Sequence, residues 1–252
     1  MASLFVVAFI LLSPIVVCTQ FVDNRGTDFW LAYLPNFHIY KYQPADIYKY
    51  SDSIYIFIVA KQPTNGTIEY YDINSNRYLK TFSIVDPNVI FTFKMPFNDF
   101  ELLGFNDMAT DNWQQNQDEI VTKSSFHITT DAPVTVYAHS QGNKSSDAFL
   151  LLPKPALGTE YYVMSYNSDG KFNAPSGRTP SEFGIVATED GTVVTIEPSA
   201  PTYANGRNTQ TITLNKGEVY LVQALIDNTN RTGDLTGTHI FSTKPVAVFG
   251  GH

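Results

Sequence analysis

The sequence predicts an all-β protein made of two tandem related β-sandwich-like repeats, with one larger fused β-sandwich as the alternative. Short β-branched and aromatic runs, turn residues between them, and blocks recurring in the same order in both halves predict it. Ile54 to Ala60 (Ile-Tyr-Ile-Phe-Ile-Val-Ala) is a continuous apolar run. Val134 to Ala138 places Thr135 between apolar neighbours, Thr211 to Asn215 alternates strictly, and Val193 to Ile196 and Val246 to Phe249 are similar. Asn65-Gly66, Asp86-Pro87-Asn88, Asp190-Gly191, Asn205-Gly206 and Asn215-Lys216-Gly217 separate the runs. Asn-Gly and Asp-Gly supply the positive φ that tight hairpins require. No stretch carries sustained helical periodicity; the best helical candidate, Asp111 to Val121, is too polar.

The recurring blocks are specific. Gly26-Thr-Asp-Phe-Trp-Leu31 matches Gly158-Thr-Glu-Tyr-Tyr-Val163, and Ile58-Val-Ala60 matches Ile185-Val-Ala187. Asn65 to Ile68 matches Asp190 to Val193, and Phe82 to Phe91 matches Ile212 to Leu221. His127-Ile128 with Pro133-Val134 and Val136-Tyr137 matches His239-Ile240 with Pro245-Val246 and Val248-Phe249. Collinear matches of this kind indicate a duplication. Phe91 and His127 stand twice as far apart as Leu221 and His239, so the first copy carries an insertion between Met95 and Lys123. The predicted organisation is a signal peptide over 1–19, a first repeat over 20–145, and a second over 146–252 that is truncated at its C-terminus. The linker is Gln141 to Ser146.

Met1 to Thr19 has the apolar core and small-residue end of a secretory signal peptide. Its apolar stretch is short and broken by Pro14, so a membrane anchor is disfavoured. Cleavage near Cys18 or Thr19 removes the single cysteine and leaves an exported chain without disulfides. The sequons at Asn65, Asn143 and Asn230 agree with export, each expected in an exposed loop and glycosylated. The 252-residue chain carries a formal charge of −8 and only 16% charged residues, with 15 Tyr and 18 Phe. High aromatic content excludes a disordered acidic tail. The lack of a basic run argues against nucleic-acid binding. No later segment is long and apolar enough for stable membrane insertion.

Catalytic and metal motifs are missing: no G-x-S-x-G, H-E-x-x-H, G-x-x-x-x-G-K or post-strand G-x-G-x-x-G occurs. No catalytic residue, cofactor or metal is assigned, and the acidic insertion lacks EF-hand spacing. His127 and His239 are repeat mates and read as structural. Asp28 and Glu160, also mates, are expected to accept backbone N–H bonds at a turn. His139 and His252 follow the apolar strand of each repeat and read as strand-end caps. Phe29 and Trp30 are expected in the core. Tyr40, Tyr42, Tyr48 and Tyr50, in a polar setting, are candidates for a binding surface, because tyrosine offers rigid area and a hydroxyl. Asp107, Asp111 and Trp113 in the insertion are further candidates, since long polar loops often carry function.

Longer motifs carry a resemblance. They are Gly26 to Trp30, Leu152 to Val163, Glu182 to Thr192, Leu214 to Tyr220, and Asp234 to Thr238 with Lys244 to Phe249. Together they resemble the N-terminal domain of IgGFc-binding proteins, from about Gln20 to His252 and more closely in the second half. The resemblance implies a secreted, non-enzymatic recognition or adhesion module. The implied partners are extracellular glycoproteins or mucins, with immunoglobulin Fc as the family name indicates. A structural spacer or assembly module of a larger extracellular matrix or mucus protein is the alternative, and a carbohydrate-active enzyme a third reading.

Overall fold

The computed structural model describes residues 23–36, 52–102, 121–142, 145–167, 180–225 and 233–251. The described residues contain no α-helix, and the all-β expectation holds. The strands of the first half are β1 (Gly26–Leu31), β2 (Ser53–Ala60), β3 (Thr64–Tyr71), β4 (Arg77–Ile84), β5 (Phe91–Met95), β6 (Val121–Thr122), β7 (Phe126–Gln141) and β8 (Ser146–Leu150). Those of the second are β9 (Glu160–Tyr162), β10 (Glu182–Ala187), β11 (Thr192–Glu197), β12 (Gln210–Leu214), β13 (Val219–Gln223), β14 (His239–Ser242) and β15 (Val246–Gly251).

All strand pairings are antiparallel, and the two halves repeat one pattern. In the second half one sheet runs β12-β11-β14-β9 and the other β15-β10-β13-β6. In the first half β7 takes part in both layers. Its N-terminal part pairs with β1 and β3, and its C-terminal part with β2 and β8. It therefore stands where the second half has β14 and then β15, separated at Thr243-Lys244-Pro245. The counterpart of Pro245, Pro133, lies within β7 without interrupting it.

Alternation explains the cores. Ile54, Ile56 and Ile58 of β2 and Val134, Val136 and Ala138 of β7 are fully buried, with Phe29, Leu31, Phe126 and Ile128. Phe183, Ile185, Val194, Ile196, Val222 and Ile240 build the second core between the two sheets. A third cluster joins the halves: Trp30, Ala32 and Leu102 pack on Val186, Val219, Leu221 and Ala247. The first half also donates β6 to the edge of β13, through Val219↔Thr122 and Tyr220↔Val121.

The turns hold corrections. Asp190-Gly191 and Asn215-Lys216-Gly217 do turn the chain, and Gly191 has φ +62°. They are not hairpins, because β10 and β11 lie in different sheets, as do β12 and β13. Turn residues reverse the chain; which layer the next strand joins follows from its apolar face. Asn65-Gly66 is no turn at all but part of β3, opposite Ser83 and Phe82. The strand register sets Thr67 in the place of Thr195, facing Thr129 and Phe241, so Thr64 matches Thr192. The block Asn65 to Ile68 is thus displaced from its expected mate. Gly66 is required by packing: a Cβ there would lie 2.4 Å from the Phe82 ring.

Candidate functional site

The repeat mates Asp28 and Glu160 do not cap a turn. Asp28 Oδ1 lies 2.9 Å from His127 Nε2, and Glu160 Oε1 lies 2.9 Å from His239 Nε2. Each pair spans neighbouring strands, β1 to β7 and β9 to β14, two residues off register. An aromatic completes each unit. Trp30 stacks on His127 at 3.8 Å, and Tyr162 stacks on His239 at 4.3 Å. The expected structural role of both histidines fits this arrangement, and the sequence signal was already present in the paired blocks. The Asp28 carboxyl is held below its ordinary value: burial is the largest effect and opposes this, but the His127 hydrogen bond together with the His127, Lys154 and Lys216 charges outweighs it. His139 lies inside β7 rather than at its end, its ring stacked with Tyr55 and Phe57 and its Nε2 2.7 Å from Ser146 Oγ. His252 lies outside the described residues.

The environments of the two aromatics differ. Trp30 is 5% exposed and Ala32 fully buried, because the second half covers them. The Lys216 ammonium sits 5.5 Å from the Trp30 ring centroid. Ser125 Oγ donates to the Gly217 carbonyl across the same junction. Their counterparts in the second half, Tyr162 and Met164, are 68% and 83% exposed, and Tyr166 follows at 66%. Tyr162, Met164 and Tyr166 alternate along one face while Val163 points into the core.

Between the halves lies a cavity of about 610 Å³. Leu34, Phe149, Leu152 and Phe249 are among its apolar walls, and Asn36, Ser140 and Asp147 among its polar groups. Asn36 Nδ2 donates to Ser140 Oγ at 2.9 Å, which donates to Glu101 Oε1 at 2.9 Å. Glu182 also lines the cavity and is 1% exposed. Gln223 Nε2 donates to its Oε2 at 2.6 Å, while Oε1 has no hydrogen-bond partner among the described residues. Burial, with the nearby Glu101 charge as a further cause and against the Gln223 hydrogen bond, pushes this carboxyl up to about 8. Glu182 opens the block Glu182 to Thr192, but that block assigned no role to its carboxylate; the signal was an acidic residue opening a strand that is otherwise apolar.

The binding candidates Tyr40, Tyr42, Tyr48, Tyr50, Asp107, Asp111 and Trp113 lie outside the described residues, as do Asn143, Asn230 and the segment 1–19. Of the expected glycosylation sites, Asn65 is described. It is exposed but on a strand rather than in a loop, and its Nδ2 donates to Asp131 Oδ2 at 3.2 Å. Among the described residues no group of three His, Cys, Asp or Glu could hold a metal ion, and no helix is long and apolar enough to cross a membrane.

Comparison with known proteins agrees with the resemblance read from the motifs. IgGFc-binding protein of Homo sapiens is 28% identical over 130 residues, which is 50% of this chain and 2% of the human protein. The chain thus spans a small part of that relative. The tandem domain CBM22-1-CBM22-2 of Paenibacillus barcinonensis Xyn10C shares 10% identity over 79% of each chain. Its TM-score of 0.15 carries no argument. The family model described as IgGFc binding protein matches residues 147–252, the part that holds β9 to β15, and with the human relative it supports the resemblance to that family.

Proposed function

We propose that this chain is a secreted, non-enzymatic recognition module for extracellular or mucus glycoproteins, immunoglobulin Fc among them. The observation that carries the reading is the family match over residues 147–252. The family is one of binding proteins, and the human relative is named for binding IgG Fc. The cavity between the halves supports it: apolar walls beside a few convergent polar groups suit a projecting side chain or sugar of a larger partner. Segment 37–51, with Tyr40, Tyr42, Tyr48 and Tyr50, follows the cavity residue Asn36 directly in the chain, so these tyrosines remain proposed contacts. Asp107, Asp111 and Trp113 are proposed contacts on the insertion, and Asn65, Asn143 and Asn230 proposed glycan carriers. The division into a leader 1–19 and repeats 20–145 and 146–252 is part of the same proposal, with β8 at the start of the second segment pairing back onto β7 of the first.

The test is binding of the secreted chain to immobilised mucins, cell-surface glycoproteins and IgG Fc, before and after enzymatic glycan removal. Saturable, glycan-dependent binding that is weakened by Leu152→Arg at the cavity wall is expected. A folded protein that binds none of these surfaces overturns the reading. The assembly alternative draws on a separate observation, the unequal covering of the two repeats, developed next.

A further inference from the structure

The duplication allows each surface of one repeat to be compared with its counterpart in the other. In the first half, the face carrying Trp30, Ala32 and Leu34 is covered by the second half. Its counterpart carries Tyr162, Met164 and Tyr166 and is exposed. The converse holds for the covering sheet. In the second half, Val186, Val219, Leu221 and Ala247 are buried under Trp30 and Ala32. Strand registers give their counterparts: Val186 stands as Val59 does, Val219 as Ile90, Ala247 as Thr135, Phe249 as Tyr137, and Leu221 as Thr92, one residue from the expected match of Leu221 with Phe91. That sheet of the first half is exposed, Ile90 at 56% and Tyr137 at 43%.

The chain therefore contains one joint between repeats and displays both halves of that joint again, one at each end. We infer that the Tyr162–Met164–Tyr166 face of one chain docks on the Tyr137–Ile90 sheet face of a second copy of this chain, head to tail, reproducing the joint between its own repeats. The outer faces suit each other in chemistry as well as in position. Glu160 and Glu197 flank His239 beside Tyr162, while Lys94 lies 5.5 Å from the Tyr55 ring on the opposing sheet. Two different surfaces meet in such a contact, so a pair keeps one free face of each kind and adds further copies, in an open line or a closed ring. Within the chain, the joint also includes β6, which the insertion between Met95 and Lys123 supplies. The second repeat has no such insertion, so the contact between chains lacks that strand and is weaker than the joint within the chain.

The experiment is sedimentation velocity of the secreted chain over a range of concentrations, with Met164→Arg on one face and Tyr137→Arg on the other. Neither side chain is buried, so both variants keep the wild-type melting curve, which is recorded alongside. Expected are concentration-dependent oligomers for the wild type and self-association weakened more than about tenfold in each variant. An equimolar mixture of the two variants retains one intact face of each kind and forms a 1:1 pair that grows no further. A wild type that stays monomeric overturns the proposal, as do variants that associate like the wild type or a mixture that stays monomeric. Glycoprotein binding by Met164→Arg is read in parallel: it is retained, because the cavity is untouched. Loss of glycoprotein binding in the wild type would overturn the proposed function without bearing on assembly.

Discussion

Replacing Glu182 by Gln tests whether the junction between the halves holds a neutral carboxyl. Glu182 is 1% exposed, and its folded-state value stands at about 8 against an ordinary 4.5. A carboxyl raised on folding binds its proton more tightly in the native state. Stability is therefore greatest below about pH 4.5 and falls as pH rises towards 8. At about 1.4 kcal/mol per pH unit of displacement, the loss is roughly 4 kcal/mol by pH 8. Gln keeps an oxygen to accept from Gln223 and cannot ionise. Urea unfolding at pH 5 and at pH 8 measures both proteins. The two differ by less than about 1 kcal/mol at pH 5, while E182Q is the more stable by roughly 4 kcal/mol at pH 8. Equal pH dependence in both proteins refutes the reasoning. Glu69 does not confuse the result. Its salt bridge with Arg77 lowers it to about 2, so the stability it contributes is lost only as pH falls below about 4.5, outside this window.

Trp30→Ala opens the joint between the halves and costs about 3–5 kcal/mol by urea unfolding. The equivalent Tyr162→Ala, on an exposed face, changes stability by less than about 1 kcal/mol. Gly66→Ala drives a Cβ to within 2.4 Å of the Phe82 ring and 2.7 Å of the Thr129 carbonyl, and lowers stability by about 1–3 kcal/mol in a thermal melt. Residues 146–252 expressed alone lose β6 and the cover of Trp30 and Ala32 from Val186, Val219, Leu221 and Ala247. Dye binding to exposed apolar surface then rises and the melting temperature falls relative to the whole chain; an unchanged melt would contradict the joint.

Strand runs and the collinear blocks made the fold class legible, because alternation and apolar runs depend on local sequence alone. The acid and histidine mates were visible as blocks, yet their pairing was not. Asp28 and His127 are brought together by β1 lying on β7, a long-range register that no local pattern encodes. The same limit misplaced Asn65-Gly66. An Asn-Gly pair in isolation signals a turn, but in β3 the missing Cβ makes room for Phe82. The role of Glu182 was not legible in its block, because it comes from being enclosed by residues far apart in the chain, among them Gln223. Trp30 and Tyr162 occupy equivalent positions in matched blocks, and only the three-dimensional joint shows that one is covered and the other exposed.

The sixteen residues of β7 also set an order of events. β7 is the partner of β1, β2, β3 and β8, so these strands have no shared scaffold until the chain has been made as far as Gln141. Three of its partners, β1, β2 and β3, precede it and must wait, unpaired with it, while the polypeptide is threaded out of its site of synthesis. Contacts of such sequence separation form slowly. The second half divides the same task between β14 and β15, which follow the strands β9, β10 and β11 that they pair with. In each half strands made early are joined by a segment made later, much as a seam is drawn shut by a late thread, and release of the chain before that segment leaves open sheet edges.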